Sequence, residues 1–169
     1  AFADRPNLTK VIIPNYVNKI DAAAFLNCTG ISEVIVEGNR SNDLLIGEKV
    51  FYGCEDIETV TIQGNGTNTP DTGVTTIGTS AFEGIRRLIS LTVENGANVI
   101  IGERAFAGNE RLEDPTFAEG AVIQSIGRQA FADCVNLSKV VIHKTTCSVD
   151  EGAFSGCVNI LTVSFEPDG

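Results

Sequence analysis

The stretch Ile126-Gly127-Arg128-Gln129-Ala130-Phe131-Ala132-Asp133-Cys134-Val135-Asn136-Leu137-Ser138-Lys139-Val140-Val141-Ile142 holds every element of a pattern that the rest of the chain repeats. Its phenylalanine belongs to the column Phe2, Phe25, Phe51, Phe82, Phe106, Phe131 and Phe154, at intervals of 23, 26, 31, 24, 25 and 23 residues. Six residues after each Phe stands an aliphatic: Leu8, Ile31, Ile57, Leu88, Leu112, Leu137 or Ile160. Three further on come Val11, Val34, Val60, Leu91, Pro115, Val140 and Val163, and two beyond those Ile13, Val36, Ile62, Val93, Phe117, Ile142 and Phe165. Another aliphatic precedes every later Phe by five residues: Ile20, Ile46, Ile77, Ile101, Ile126 and Val149.

A fixed period of this length is the mark of a solenoid, so it is weighed before any local propensity. The last two columns alternate with polar residues, as in a short strand with one buried face. The spacing LxxLxL is the core of a leucine-rich repeat. One coil then reads as a buried Ile, a turn, a short Ala-Phe segment, a loop and a strand. A single coil cannot bury its apolar side, whereas stacked coils share one core. The pattern predicts one α/β solenoid domain over residues 1–169, of about seven repeats. It would be a right-handed superhelix with a parallel β-sheet on one face and short helical or turn segments on the other. Connections 38–45 and 64–76 are longer and rich in turn formers, which predicts protruding loops.

The consensus IGxxAFxGCxxLxxVxI resembles the BspA-like leucine-rich-repeat family. Cys28, Cys54, Cys134 and Cys157 fill the Cys column, and Gly53-Cys54 and Gly156-Cys157 keep the Gly-Cys pair. Arg5, Ile85 and Asn109 depart from that column, and Pro115 departs from a strand column, where it should cost or bulge the ladder. The resemblance implies a bacterial or protist protein, secreted or on the cell surface, that adheres to host or matrix components.

Composition narrows the partners. A net charge of −10 argues against nucleic acid, which needs a basic face. No apolar run approaches the ~20 residues of a membrane span. The absence of Met and the start at Ala1-Phe2 read as a fragment of a longer protein. Adjacent CxxC pairs and a second His are missing, so the cysteines are expected as reduced, buried thiols rather than a zinc site, although in-register Cys28/Cys54 and Cys134/Cys157 disulfides remain open. No metal or other cofactor is expected. Of five Asn-x-Ser/Thr sequons, those at Asn39 and Asn65 fall in the long connections, where an acceptor would be reachable.

Outward strand positions are where a ligand would be met. The candidate binding face comprises Ile12, Glu33, Ile35, Glu37, Thr59, Thr61, Gln63, Ser90, Thr92, Glu94, Thr116, Lys139, Val141 and His143. β-Branched residues there also simply suit an exposed sheet. Read functionally, it is an uncharged strip with acidic flanks, open to a protein or a glycan. His143, the single histidine, has Ser164 and Glu166 one coil away, but a shallow surface does not exclude water as catalysis requires. The expectation is a non-enzymatic interaction or adhesion module, with a structural spacer array as the alternative.

Overall fold

The computed structural model describes residues 1–67, 69–143 and 147–166. Among them are thirteen short strands: β1 (Lys10–Ile13), β2 (Lys19–Ile20), β3 (Glu33–Val36), β4 (Leu44–Ile46), β5 (Thr59–Ile62), β6 (Thr75–Ile77), β7 (Ser90–Val93), β8 (Asn98–Ile101), β9 (Thr116–Phe117), β10 (Val122–Ile126), β11 (Lys139–Ile142), β12 (Ser148–Val149) and β13 (Thr162–Phe165). Odd and even strands separate into different walls. The first wall is a parallel five-stranded sheet, β1-β3-β5-β7-β9, followed by the parallel pair β11-β13. The second wall is a parallel six-stranded sheet, β12-β10-β8-β6-β4-β2. The chain is a parallel β-solenoid, and its seven phenylalanines bound six turns rather than the seven repeats expected.

The second wall was not anticipated. The aliphatic ahead of each Phe reads in sequence as a lone buried residue before a turn. It is the last residue of a strand instead: Ile20↔Ile46↔Ile77↔Ile101↔Ile126↔Val149 are neighbours across the sheet. A second inward row, Leu44, Thr75, Val99 and Ile123, lies two or three residues earlier and is buried as well.

No helix forms among the described residues, so the α/β class and the helical Ala-Phe segments are corrected to an all-β solenoid with turns. The reason is a backbone alternation. Two residues before each later Phe, the chain enters the left-handed region at Ala23, Lys49, Ser80, Arg104, Gln129 and Gly152. Two residues after each Phe it does so again, at Asp4, Asn27, Gly53, Gly84, Gly108, Asp133 and Gly156. That second column contains only Asp, Asn and Gly, the residues that tolerate the conformation best. Alternate amides therefore point in different directions. Ala24 N donates to Asp21 O and Leu26 N to Ala23 O within the turn, whereas Ala23, Phe25 and Asn27 donate to Glu48, Val50 and Tyr52 of the next coil. Around Phe82, Ser80, Phe82 and Gly84 reach Glu103, Ala105 and Ala107 in the same way. A helix would keep every bond local. The turns act here as a third hydrogen-bonded wall.

Inside, the Phe rings form one column. Successive centroids lie 5.1, 5.3, 4.8, 5.2, 5.4 and 5.5 Å apart, with interplanar angles of 15° or less. Phe51, Phe82, Phe106 and Phe131 are fully buried, whereas Phe2 at the end is 51 % exposed. The Cys column consists of free thiols. Each Sγ donates to the Phe carbonyl one coil back: Cys28 to Phe2, Cys54 to Phe25, Cys134 to Phe106 and Cys157 to Phe131, at 2.9–3.1 Å. Burial pushes the Cys54 and Cys134 thiols up to about 12. Asn109, which replaces the Cys of this column, performs the same task. Its Nδ2 donates to Phe82 O and Phe106 O, and its Oδ1 accepts from the buried Ile85 amide at 2.7 Å.

Pro115 interrupts the first wall, as its missing donor predicts. Strand β9 shrinks to two residues, and the sheet ends there. In intact coils a main-chain carbonyl accepts two amides of the next coil, as Ser32 O does for Glu58 and Thr59. At the break the Asp114 carboxylate takes over: Oδ1 accepts from Ser138 N (2.7 Å) and Lys139 N (2.9 Å), and Oδ2 from Ser138 Oγ (2.8 Å).

The long connections are packed more closely than expected. Arg40 is 97 % buried by area and donates to the carbonyls of Ile13, Pro14, Asn15 and Val17. Burial lowers its affinity for a proton, with Asp71 and Glu37 opposing. Asp71 and Gly73 of the 64–76 segment are buried, and Gly73 N donates to Arg40 O. Exposure there is confined to Gly66, Thr67, Thr69 and Thr72; Asn68 lies outside the described residues.

Candidate functional site

The outward face of the first wall follows directly from strand period. In β3 and β5 the pattern is half-exposed, buried, half-exposed, buried, so Glu33, Ile35, Thr59 and Thr61 look outward. Register makes the positions into rows. The central row is Ile12↔Ile35↔Thr61↔Thr92↔Thr116, and the row beside it begins Lys10↔Glu33↔Thr59↔Ser90. Glu37, Gln63 and Glu94 follow their strands on the far side and are half-exposed. The structure thus gathers Ile12, Glu33, Ile35, Glu37, Thr59, Thr61, Gln63, Ser90, Thr92, Glu94 and Thr116 on one surface.

Lys139, Val141 and His143 are set apart. They belong to β11 and its exit, on the far side of the Asp114 bridge, and pair with β13 instead: Lys139↔Thr162 and Val141↔Ser164. They extend the surface without sharing the five-strand ladder.

Charge on this surface is largely committed to partners within it. Lys10 Nζ lies 2.7 Å from Glu33 Oε2, with both side chains well exposed. Glu37 Oε2 accepts from Asn15 N at 3.3 Å. His143 Nδ1 lies 3.3 Å from Glu166 Oε2. Ser164 stands opposite Val141 rather than His143, so the three candidates for a triad are not lined up in one row. Ile12 is half exposed, and Ile35, Thr61 and Thr92 are half-buried by their neighbours along the row. What remains free for an incoming ligand is a β-branched strip that changes from aliphatic at Ile12 and Ile35 to hydroxyl-bearing at Thr61, Thr92 and Thr116. Such a strip offers contact area and hydroxyl donors, with little fixed charge.

Among the described residues no group of three or more His, Cys, Asp or Glu side chains is placed to hold a metal. Nor is any helix long and apolar enough to cross a membrane. The sequon residue Asn65 is turned inward on its own loop: Nδ2 donates to Thr69 O, and Oδ1 accepts from Thr67 N and Oγ1. Asn39, the other acceptor expected, is exposed with a positive φ.

Two residues near this surface escaped sequence reading. Arg40 looks like an ordinary loop cation, yet it clamps the loop that follows β1. Asp114 looks like another exposed acid, yet it bridges the split wall. Its position immediately before Pro115 was the available signal.

With this geometry in place, comparison with known proteins is direct. A family model described as the BspA type leucine-rich repeat region matches in six copies, over residues 1–100 and 45–168. The crystal structure of a leucine-rich cell surface protein from Faecalibacterium prausnitzii A2-165 aligns at 18 % identity with a TM-score of 0.42, covering 96 % of this chain and 79 % of that one. No curated protein matches the sequence.

Proposed function

Taking as premise that the chain belongs to the BspA-type leucine-rich-repeat family, we propose that it is a single non-catalytic interaction domain of a secreted or cell-surface protein. Its task in this reading is adhesion: it binds a host or matrix protein, or a glycan, through the outward face of the first wall. The observation that carries the proposal is the row Ile12–Ile35–Thr61–Thr92–Thr116, held in register on a stiff sheet. A rigid, preorganised surface loses little conformational entropy when a partner lands on it. Glu94 at its margin, with Glu33 already paired to Lys10 and Glu37 to the Asn15 amide, suits a neutral or mildly basic partner.

The experiment is a pull-down of matrix, serum and cell-surface proteins, with a glycan array beside it. The bait is the parent chain, compared with the double variant Thr61→Arg, Thr92→Arg. Both threonines project outward, so each substitution alone is expected to change stability by less than about 0.5 kcal/mol, and the pair, side by side across β5 and β7, by more through like-charge repulsion, so its folding is checked by circular dichroism. A ligand kept by the parent and lost by the folded variant supports the reading. A ligand kept equally by both moves the site off this face.

A spacer role has its own support in the uninterrupted ring column from Phe2 to Phe154, which joins every coil to the next through the core. Capture of nothing by either bait, with both folded, favours that role.

A further inference from the structure

Resting on the reading of the first wall as the binding surface, we infer that its ligand is a linear, uncharged polysaccharide. The chain of sugars, joined through equatorial positions, lies along the rod axis with one sugar on each coil. The coils that carry β5, β7 and β9 hold the evidence. Their outward positions are hydroxyls almost throughout: Thr59 and Thr61, Ser90 and Thr92, and Thr116. Register sets Thr61, Thr92 and Thr116 in one row and Thr59 and Ser90 in a second, with Gln63 and Glu94 half-exposed on the far side. Polar side chains elsewhere on the surface are tied down: Asn65 holds its own loop, Gln124 donates to Asn98, and Asn159 donates to the Val135 carbonyl. None of these five hydroxyls, nor the side-chain amide of Gln63 or the carboxylate of Glu94, has such a partner among the described residues.

Spacing is the first property that narrows the occupant. Neighbouring strands lie about 4.8 Å apart, and inside these coils the rings of Phe51, Phe82 and Phe106 follow at 4.8 and 5.2 Å. The rings turn by only 15° and 2° from coil to coil, so the rows run nearly straight. A pyranose chain linked through equatorial positions is also straight, and it advances by one ring length per sugar, close to this step. An extended peptide on the same line repeats its side chains every second residue, about 6.6 Å, and falls out of step with the coils. Laid along the strands instead, it leaves the row after one coil.

Charge is the second. Asp114 is spent on the Ser138 and Lys139 amides, which leaves Glu94 as the one uncommitted charge among the described outward positions of these coils. An anionic chain would be repelled there. A neutral sugar instead donates vicinal hydroxyls to the Glu94 carboxylate and both donates to and accepts from the Gln63 amide. Threonine serves both aspects of a sugar, its hydroxyl for the polar groups and its methyl for the ring C–H bonds. Before Thr61 the row offers Ile35, with apolar contact alone, and after Thr116 it stops at the Asp114 bridge. The hydroxyl section therefore spans the three coils of β5, β7 and β9, with room for a further sugar over Ile35.

The test is calorimetric titration with oligosaccharides from dimer to hexamer. β-1,4-linked glucose, N-acetylglucosamine and mannose are the straight neutral probes, α-1,4-linked glucose the curved neutral one, and β-1,4-linked mannuronate the charged one. Expected is saturable binding of at least one straight neutral series, with affinity rising from dimer to tetramer and level beyond it. The curved and charged tetramers should bind about tenfold more weakly or worse. Thr61→Val, which keeps the shape and removes one hydroxyl, should lose about fivefold. Thr92→Arg, shown to be folded by circular dichroism, should lose binding altogether, whereas Leu45→Arg, exposed on the second wall, should bind as the parent does. Absence of binding by all three straight neutral series overturns the proposal, as does affinity already level at the dimer or equal affinity for the curved or charged tetramer. If no sugar binds while a matrix protein is held by the parent and lost by folded Thr61→Arg, Thr92→Arg, the face stands and its ligand is a polypeptide. If a sugar tetramer binds the parent and folded Thr92→Arg equally, the face itself is refuted.

Discussion

Truncating Phe82 to alanine tests the ring column at its tightest point. Phe82 is fully buried and stacks on Phe51 at 4.8 Å and on Phe106 at 5.2 Å, the latter pair 2° from parallel. A buried phenylalanine removes about 200 Å² from water, which at about 25 cal/mol per Å² is about 5 kcal/mol, part of which alanine retains. Phe→Ala substitutions in packed cores cost about 3–5 kcal/mol. Two stacking contacts are lost at once, and in a solenoid each coil rests only on its neighbours, so the upper half of that range is expected. Phe2→Ala supplies the internal comparison. Phe2 is 51 % exposed and stacks on Phe25 alone, so its loss should cost about 1–2 kcal/mol. Urea titrations followed by far-UV circular dichroism give both values, with the slope m showing whether unfolding remains cooperative. A cost below about 1 kcal/mol for Phe82→Ala, or equal costs at the two positions, would refute the view that the rings form the axial core.

Two further predictions concern titratable groups. Burial acts to raise the Asp114 carboxyl, but the Lys139 and Ser138 amides and the Ser138 hydroxyl override it, so it titrates below the ordinary aspartate range. A depressed folded pKa stabilises above the unfolded value of about 3.9 and is lost as pH falls through the folded one. Asp114→Ala should cost about 1 kcal/mol at neutral pH and speed hydrogen exchange at Ser138 and Lys139, and the difference should shrink as acid protonates the carboxylate. Unchanged exchange at those two amides would show that the bridge does not hold the split wall. The Cys54 and Cys134 thiols, raised by burial to about 12, have the opposite sign. Their contribution is complete below the unfolded value of about 8.5 and is lost as pH climbs from there through the folded values. Cys54→Ala should flatten that alkaline loss, and native protein should leave a thiol reagent unreacted at the buried positions; rapid native labelling of all five cysteines would contradict the packing.

Much of the architecture was legible because burial repeats. Val34 and Val36, Val60 and Ile62, and Leu91 and Val93 announce a one-sided strand wherever they recur, and their register placed Thr61 and Thr92 outward before any coordinates. Sequence leaves the Ala-Phe segment open between helix and turn, because an apolar Ala-Phe pair suits a helix and the deciding information sits two residues later. Asn27, Gly53, Gly84, Gly108, Asp133 and Gly156 share tolerance of a left-handed backbone, not hydrophobicity, and a search for apolar columns passes over them. The second wall was hidden for a related reason. Ile46, Ile77 and Ile101 were visible as a column, but their inward companions Leu44, Thr75 and Val99 include a threonine, which blurs the alternation. On the outer face, residue identities were readable and their mutual commitments were not. Nothing in one dimension says that Lys10 meets Glu33, that Glu37 accepts the Asn15 amide, or that Lys139 and Val141 fall beyond a break.

The alternation of amides around each phenylalanine constrains how such a chain can change its length. From the end of a second-wall strand to the start of the next first-wall strand, twelve residues intervene between Ile20 and Glu33, Ile46 and Thr59, Ile77 and Ser90, Ile126 and Lys139, and Val149 and Thr162; the count differs only between Ile101 and Thr116, where Pro115 makes β9 start two residues late. In the other half of the coil the count runs from four, between Val93 and Asn98, to twelve, between Ile62 and Thr75. One residue added to the phenylalanine arc would exchange the amides that reach across for those that stay at home, and would unzip that wall from its neighbour. One added after a first-wall strand merely lengthens an arch. Each coil thus has a gauge half and a variable half, and new sequence can enter the rod along one corner without disturbing its pitch.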